Sequence, residues 1–272
     1  MSEVSLHERL AVLVARTLRA DDVGFTGLTT GGPTAMFGTY IPVAAMQLAR
    51  LTHAPDLTLF MAGWCHNPSL RDLGALPRSE FPLSWYDVPS EARKDTWPGI
   101  HSMYRSDVTV GFCSAAQIDR VGSVNTVRID RPDGSHVRLV GPVMVTEHMA
   151  FYGREIVMMP RHDRRTFVER VDYVSAVGHP GGKAGRAEMQ VPGSGPALVV
   201  TPLGVLDFDD VTGVMRLRYV HPGVSVERVR EETGFDLDCA AALPTPDPTA
   251  DELAVLREQV DPQGFLRAGV PA

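Results

Sequence analysis

The chain has 272 residues, 44% of them hydrophobic and 22% charged, with a formal net charge of −7. That balance is ordinary for a water-soluble globular protein, and the acidity argues against nucleic acid as a partner, because phosphate-backbone binding needs a basic surface. No apolar run reaches the roughly 18 residues of a membrane span, so no membrane association is expected. The N-terminal stretch carries Glu3 and Glu8 within an amphipathic pattern and reads as a mature helix, not a signal peptide. Cys65, Cys113 and Cys239 are far apart and form no CxxC pair. They point to neither a disulfide framework nor a zinc site, so no metal is expected and a reducing cytoplasm fits best. With no internal repeat, low-complexity segment or linker, 1–272 is expected to be a single domain.

In chain order, Ser5 with Glu8 forms a capping-box signature. Leu6, Leu10, Leu13, Val14 and Leu18 follow at helical spacing and predict the first helix. A short strand is expected over 23–27, closing on a loop that contains Gly31-Gly32-Pro33. A second helix is expected over 43–51, with Pro42 suited to its first turn. The apolar run at 57–61 completes a βαβ start, which predicts a parallel sheet with helices against it. From Trp64 to Arg105 the prolines 68, 77, 82, 89 and 98 break any long element. The tryptophans there need cover, so a partner interface is favoured over a lid or a plain connection.

The stretch from Val108 to Ile129 is the centre of the chain. A buried strand at 108–112 is followed by small residues, then Gln117, Ile118 and Asp119, a turn at 120–123, and an alternating second strand at 124–129. Small side chains at a strand end allow close approach to the backbone. Gln117, Asp119 and Asn125 set hydrogen-bonding groups beside that gap. Two readings follow: a ligand pocket, or a hairpin with turn residues and a polar edge. Beyond it, Arg131-Pro132-Asp133-Gly134-Ser135 is a hairpin turn. Strands are expected at 137–140, 156–159 and 167–174, and an antiparallel run at 197–201, 204–208 and 214–219. Helices are expected from Ser225 through Arg230 and after a second capping box, Thr249 with Glu252. The fold class expected is α/β, an open, mostly parallel sheet with flanking helices and an antiparallel C-terminal part.

The order Ala115-Ala116-Gln117-Ile118-Asp119, Gly122, Val124-Asn125 resembles a signature of the family I CoA-transferases. The likeness is nearest to the β subunit of the glutaconate CoA-transferase type. It recurs at Thr52-His53-Ala54-Pro55-Asp56, Ile156-Val157-Met158-Met159, Val171-Asp172-Tyr173-Val174, 221–237 and Asp261-Pro262, and so spans nearly the whole chain. The resemblance implies a CoA-transferase-like fold, a coenzyme A thioester as substrate with no tightly bound cofactor, and an α-type partner subunit. It also implies that Gln117, Asp119, Asn125 and Gly141 border the substrate.

The chemistry implied is nucleophilic: a glutamate carboxylate attacks the thioester and divides one hard exchange into easier steps. In the glutaconate type that glutamate follows the strand after Ala-Pro-Asp. Here the position falls on Ala62, and no carboxylate lies between Asp56 and Asp72. The resemblance also implies a GSGG loop whose N–H groups stabilise an oxyanion. The matching segment is Gly141-Pro142-Val143-Met144, in which proline has no N–H and two large side chains narrow the backbone. Glu147 and His148 in this segment are weaker candidates for acid and base, against a solvated loop pair. The basic group Arg161, His162, Arg164 and Arg165 could pair with CoA phosphates, against a solvated face or a salt-bridged partner contact. The Cys65-His66 pair reads as packing, and the loop GHPGGK at 178–183 lacks P-loop spacing and is expected not to enter a helix. His53 and His101 read as structural. Three functions remain open: a transferase-type subunit, a subunit of a ring-opening acyl-CoA hydrolase whose catalytic carboxylate lies on the α subunit, and a non-catalytic CoA-binding or scaffolding subunit.

Overall fold

A computed structural model describes residues 3–27, 32–61, 65–68, 89–93 and 107–268. Ala62, Trp64, His101 and most of the irregular stretch expected at 64–105 lie outside the described residues. The chain gathers into two compact units, Met1–Phe112 with Pro246–Ala272, and Cys113–Thr245.

In the first unit, α1 (Leu6–Ala15) opens on the expected capping box, with Glu8 N–H donating to Ser5 Oγ at 3.1 Å and Ser5 N–H to Glu8 Oε2 at 2.9 Å. Its buried face, including Leu10 and Val14, packs on α2 (Ile41–Thr52), which carries Pro42 directly after a π-helical turn. Helical chain begins before α2, at Gly32–Ala35, and passes through a π-helical turn at Met36–Tyr40. Gly38 and Thr39 in that turn are poor helix formers, and burial of all its residues overrides propensity. The strands are β1 (Val23–Thr26), β2 (Thr58–Met61), β3 (Cys65–Pro68), β4 (Ser90–Arg93) and β5 (Val110–Cys113). They order as β5–β1–β2–β3–β4, with β1 parallel to β2 and β5 and the other pairs antiparallel. A Cβ on Gly24 would lie 2.4 Å from Met46 Sδ, so glycine is what lets β1 sit against α2. The C-terminal helix Ala250–Val255 has the second capping box. Arg16 donates to both oxygens of Glu252 at 2.8 and 2.6 Å, and Arg257 donates to the buried Glu8 at 2.7 Å, tying the C-terminal segment to α1.

The second unit contains β6 (Gln117–Asp119), β7 (Val124–Asn125), β8 (Arg128–Asp130), β9 (His136–Arg138), α3 (Val145–Phe151), β10 (Arg154–Met158) and β11 (Phe167–Val168). Then come α4 (Gly182–Glu188), β12 (Pro196–Val200), β13 (Gly204–Phe208), β14 (Met215–Val220), α5 (Val226–Glu231) and β15 (Leu243–Pro244). Its main sheet orders as β15–β14–β13–β12–β10, a small sheet as β11–β6–β7, and β8 with β9 forms the hairpin expected around Arg131–Ser135. The expected antiparallel run is β12, β13 and β14. The core between them holds Ile118, Val157, Phe167, Val199, Leu206 and Leu217. The fold class is as expected: α/β, with parallel pairs, flanking helices and an antiparallel C-terminal part.

Several expectations are corrected. The single strand at 124–129 is two, because Asn125 Oδ1 accepts the N–H groups of Val127 at 2.9 Å and Arg128 at 3.3 Å and bends the chain between them. The strand at 167–174 shrinks to Phe167–Val168, where its pairing with β6 ends. The loop at 178–183 does enter a helix, α4, and α3 was not foreseen at all. Among the described residues no helix is long and apolar enough to cross a membrane.

Candidate active site

The signature residues are buried and bonded to one another. Gln117 is 5% exposed and Asn125 is 0% exposed. They face each other across the antiparallel pair β6–β7. Asn125 Nδ2 donates to Gln117 Oε1 at 2.8 Å and to the Arg128 carbonyl at 2.5 Å. Gln117 Nε2 donates to Asp172 Oδ2 at 3.0 Å, and its Oε1 also accepts the Asp172 N–H at 3.1 Å. Asp172 Oδ2 in turn accepts the Asp130 N–H at 3.0 Å. The network therefore ties β6, β7, the start of β8 and the 172–175 segment into one frame. Asp119 sits two residues along β6, where its Oδ1 accepts the N–H groups of Val121 at 3.1 Å and Ser123 at 2.9 Å. Burial raises its pKa, outweighing the backbone N–H bonds that oppose the rise. The turn it caps needs Gly122 at φ 80°, and a Cβ there would come within 2.8 Å of Phe208 and Pro196.

The Gly141–Met144 segment is attached to this frame. Gly141 N–H donates to the Thr126 carbonyl at 2.9 Å, one residue past Asn125. Thr126 donates its own N–H to Ser175 Oγ at 2.8 Å, and Thr146 Oγ1 donates to the Ser175 carbonyl at 2.6 Å. Gly141 (φ 99°), Val143 (φ 21°) and Met144 (φ 63°) all lie at positive φ, which L side chains adopt at a cost. Val140 and Val143 are 90% and 71% exposed. Among the described residues nothing lies within 4 Å of where a Gly141 Cβ would stand. Met144 caps α3, whose buried face carries His148.

His148 is buried, stacked on Tyr152 with centroids 4.5 Å apart. Its Nδ1 lies 3.3 Å from Oε1 of Glu155, a wholly buried carboxylate at the start of β10. Glu155 Oε2 has no hydrogen-bond partner among the described residues. The Cys113 thiol shares this space, and burial first, then the Glu155 charge, push its pKa well above the ordinary thiol range. Glu147, half-buried on the same helix, takes no part in this cluster.

The structure thus gathers Gln117, Asn125 and Gly141 in one neighbourhood, with Asp119 in the adjoining turn and His148 on the helix that follows the loop. It places Cys65 and His66 in the first unit, on β3, where burial is the first cause raising the Cys65 pKa. The basic group at 161–165 is divided. His162 is buried between Thr201 Oγ1 at 2.9 Å and Thr233 Oγ1 at 3.0 Å and stacked on Phe167, while Arg161, Arg164 and Arg165 are exposed. Sequence reasoning missed Glu155, which lies just before the strand expected at 156–159 and falls inside β10. It missed Arg186 too, a buried guanidinium that donates to the carbonyls of Gly193, Val177, Gly178 and Met149.

The model of the family described as Coenzyme A transferase matches residues 101–232. The β subunit of a 3-oxoadipate CoA-transferase from Pseudomonas knackmussii is 31% identical over 263 residues, covering 94% of each chain. The chain belongs to the coenzyme A transferase family. The β subunit of the glutaconate CoA-transferase from Acidaminococcus fermentans is 33% identical over 89% of this chain and 91% of that one. The crystal structure of that transferase matches with a TM-score of 0.75 at 28% identity, covering 99% of this chain and 98% of the other. A cholesterol ring-cleaving hydrolase subunit from Mycobacterium tuberculosis is 32% identical over 80% of this chain and 83% of its own. Within this transferase family the chain is of the β-subunit type.

Proposed function

We propose that this chain is the β-type subunit of a two-component enzyme acting on an acyl-CoA, and that the reacting carboxylate is supplied by an α-type partner. Ala62 carries the reading, since it occupies the position at which the resemblance puts the nucleophilic glutamate, with no carboxylate between Asp56 and Asp72. Alanine cannot form the anhydride and thioester intermediates that transfer requires. The names of the relatives support the rest, each being a subunit of an enzyme. In this reading the chain's own contribution is the frame around Gln117 and Asn125 and the loop Gly141–Met144, which shape one wall of the acyl-CoA site.

A second reading is hydrolysis of a ring ketone in an acyl-CoA. It is favoured by the same alanine, because water activated by a partner carboxylate needs no nucleophile here, and by the likeness to a ring-cleaving hydrolase subunit. One experiment separates the two. The chain is co-expressed with a candidate α-type subunit, and the purified complex is incubated with acyl-CoA substrates in ¹⁸O-water. Transfer yields CoA exchange between acyl groups, whereas hydrolysis puts ¹⁸O into the product. Mass spectrometry of the separated subunits is expected to find no CoA adduct on this chain, and an adduct on any glutamate of it overturns the reading.

A further inference from the structure

The second unit treats its buried polar groups in two ways. Gln117, Asn125 and Asp172 bond to one another, and none of their fully buried polar atoms lacks a partner among the described residues. Glu155 differs. The residue is 0% exposed, one oxygen has no partner among the described residues, and the thiol beside it cannot neutralise a carboxylate. A buried ion is tolerated only when it is paired and hydrogen-bonded, and the polar group set against this one is His148 Nδ1, at 3.3 Å. With an ionised carboxylate, Nδ1 must carry the proton and donate it. Glu155 also sits where the register of β10 against β12 slips, between Glu155 and Ile156, a kind of irregularity that re-aims a side chain. There the carboxylate meets His148 of α3.

Above the pair, α3 begins directly after Val143 and Met144, two consecutive non-glycine residues at positive φ. Such backbone persists only where the surroundings over-determine it. On the frame side the loop is fixed by the Gly141 N–H to Thr126 and by Thr146 to Ser175. On the strand side a side-chain tie runs from His148 to Glu155, one helical turn past Met144; His148 N–H also closes that turn on the Met144 carbonyl at 2.9 Å. We propose that His148 and Glu155 form a buried positioning pair that holds the strained loop Gly141–Met144 in its present shape on one wall of the acyl-CoA site. Neither residue touches substrate; both act through the loop. The role in turnover rests on the function proposed above, but the hold on the loop does not.

The test uses the purified two-subunit complex and amide hydrogen exchange of peptides covering 140–151. His148→Phe keeps a ring on Tyr152 and removes Nδ1. It is expected to speed exchange of that segment by about 10- to 100-fold, the range for losing a bond to a charged group, with other peptides of the unit unchanged. His148→Asn, whose amide nitrogen takes the place of Nδ1, should restore slow exchange. Unchanged exchange in His148→Phe, or a rise spread evenly over the unit, overturns the proposal. If that variant does not fold, Glu155→Gln decides on the same readout. In the activity arm, His148→Phe is expected to lower kcat with little change in KM, and His148→Asn to recover it. Freed loop exchange with unaltered kcat would overturn the role in turnover. A wild-type complex with no acyl-CoA activity would count against the proposed function and leave the exchange result to decide the pair.

Discussion

Two parts of the same unit meet at Thr126 and are built on opposite terms. The frame of Gln117, Asn125, Asp119 and Asp172 is saturated: its side chains bond to each other and to turn N–H groups. The adjoining loop and helix hold positive-φ valine and methionine, exposed Val140 and Val143, and a carboxylate with an unmet oxygen beneath them. Saturated polar networks make a core rigid and specific. Strain and unmet bonding capacity are tolerated where shape is used. Residues that carry the resemblance thus form the saturated frame, and Pro142, Val143 and Met144, which differ from the GSGG loop the resemblance implies, give the adjoining loop its particular form. Four sets of variants and conditions probe that division.

The largest effect is expected at Arg186, which belongs to the saturated side. Its guanidinium closes four carbonyls, including that of Met149 on α3. Arg186→Met leaves these buried acceptors open and should cost at least about 3 kcal/mol, read from the shift in urea midpoint. Arg186→Lys should rescue little, because an ammonium cannot reproduce the planar fork. A loss below about 1 kcal/mol would show that water replaces the guanidinium and that the frame is less dry than its bonds imply.

The next effect is a pH dependence. Burial lowers the His162 pKa from 6.5 to about 4, and the Asp163 charge only partly offsets this. A depressed folded pKa means that the unfolded chain binds a proton the folded chain refuses. The contribution is therefore full above pH 6.5 and is lost as pH falls toward 4, by up to about 3 kcal/mol. His162→Gln should flatten the stability profile over that window. A different group covers the next window: the Arg16 bond first, with burial opposing it, holds Glu252 near 2, so its contribution in the first unit fades below the ordinary 4.5. Unfolding that starts in the first unit at pH 5 would contradict this order.

The third effect tests the frame itself. Gln117→Ala and Asn125→Ala should each cost about 1–3 kcal/mol, since each strands a buried partner. Because they share the 2.8 Å bond, the double variant should cost less than the two losses added together. Thermal melts of the complex read this, with specific activity measured alongside. Strict additivity would mean that the two side chains serve separate neighbours.

The fold was legible where local chemistry decides structure. Both capping boxes, the Arg131–Ser135 hairpin and the antiparallel run follow from residues adjacent in sequence, whereas the helix expected to start at Pro42 begins at Gly32. What was not legible depends on contacts between distant residues. Asn125 read as a ligand group or as the polar edge of a hairpin, and the three-residue reach of its Oδ1 that breaks the strand appears only in three dimensions. α3 could not be foreseen because it starts from a left-handed methionine, which no propensity favours. Glu155 fell one residue short of the expected strand, and only its burial beside His148, 7 residues back in the chain, shows it inward.

The smallest effect also bears most directly on the division between frame and loop. Met144 holds φ 63°, a conformation that costs a residue with a Cβ about 1–2 kcal/mol. Glycine takes it freely but gives up about 0.5–1 kcal/mol of unfolded-chain entropy. Met144→Gly should therefore stabilise the complex slightly, by up to about 1 kcal/mol, with the midpoint of chemical unfolding as the measure. Gly141→Ala is the mirror experiment, since φ 99° strains any side chain although no described residue crowds it, and it should destabilise. If the strained loop is used, Met144→Gly will gain stability and lose turnover together, because the flexible backbone no longer fixes the wall. A gain in stability at full turnover would make the strain incidental and leave the saturated frame as the only part of the wall that matters.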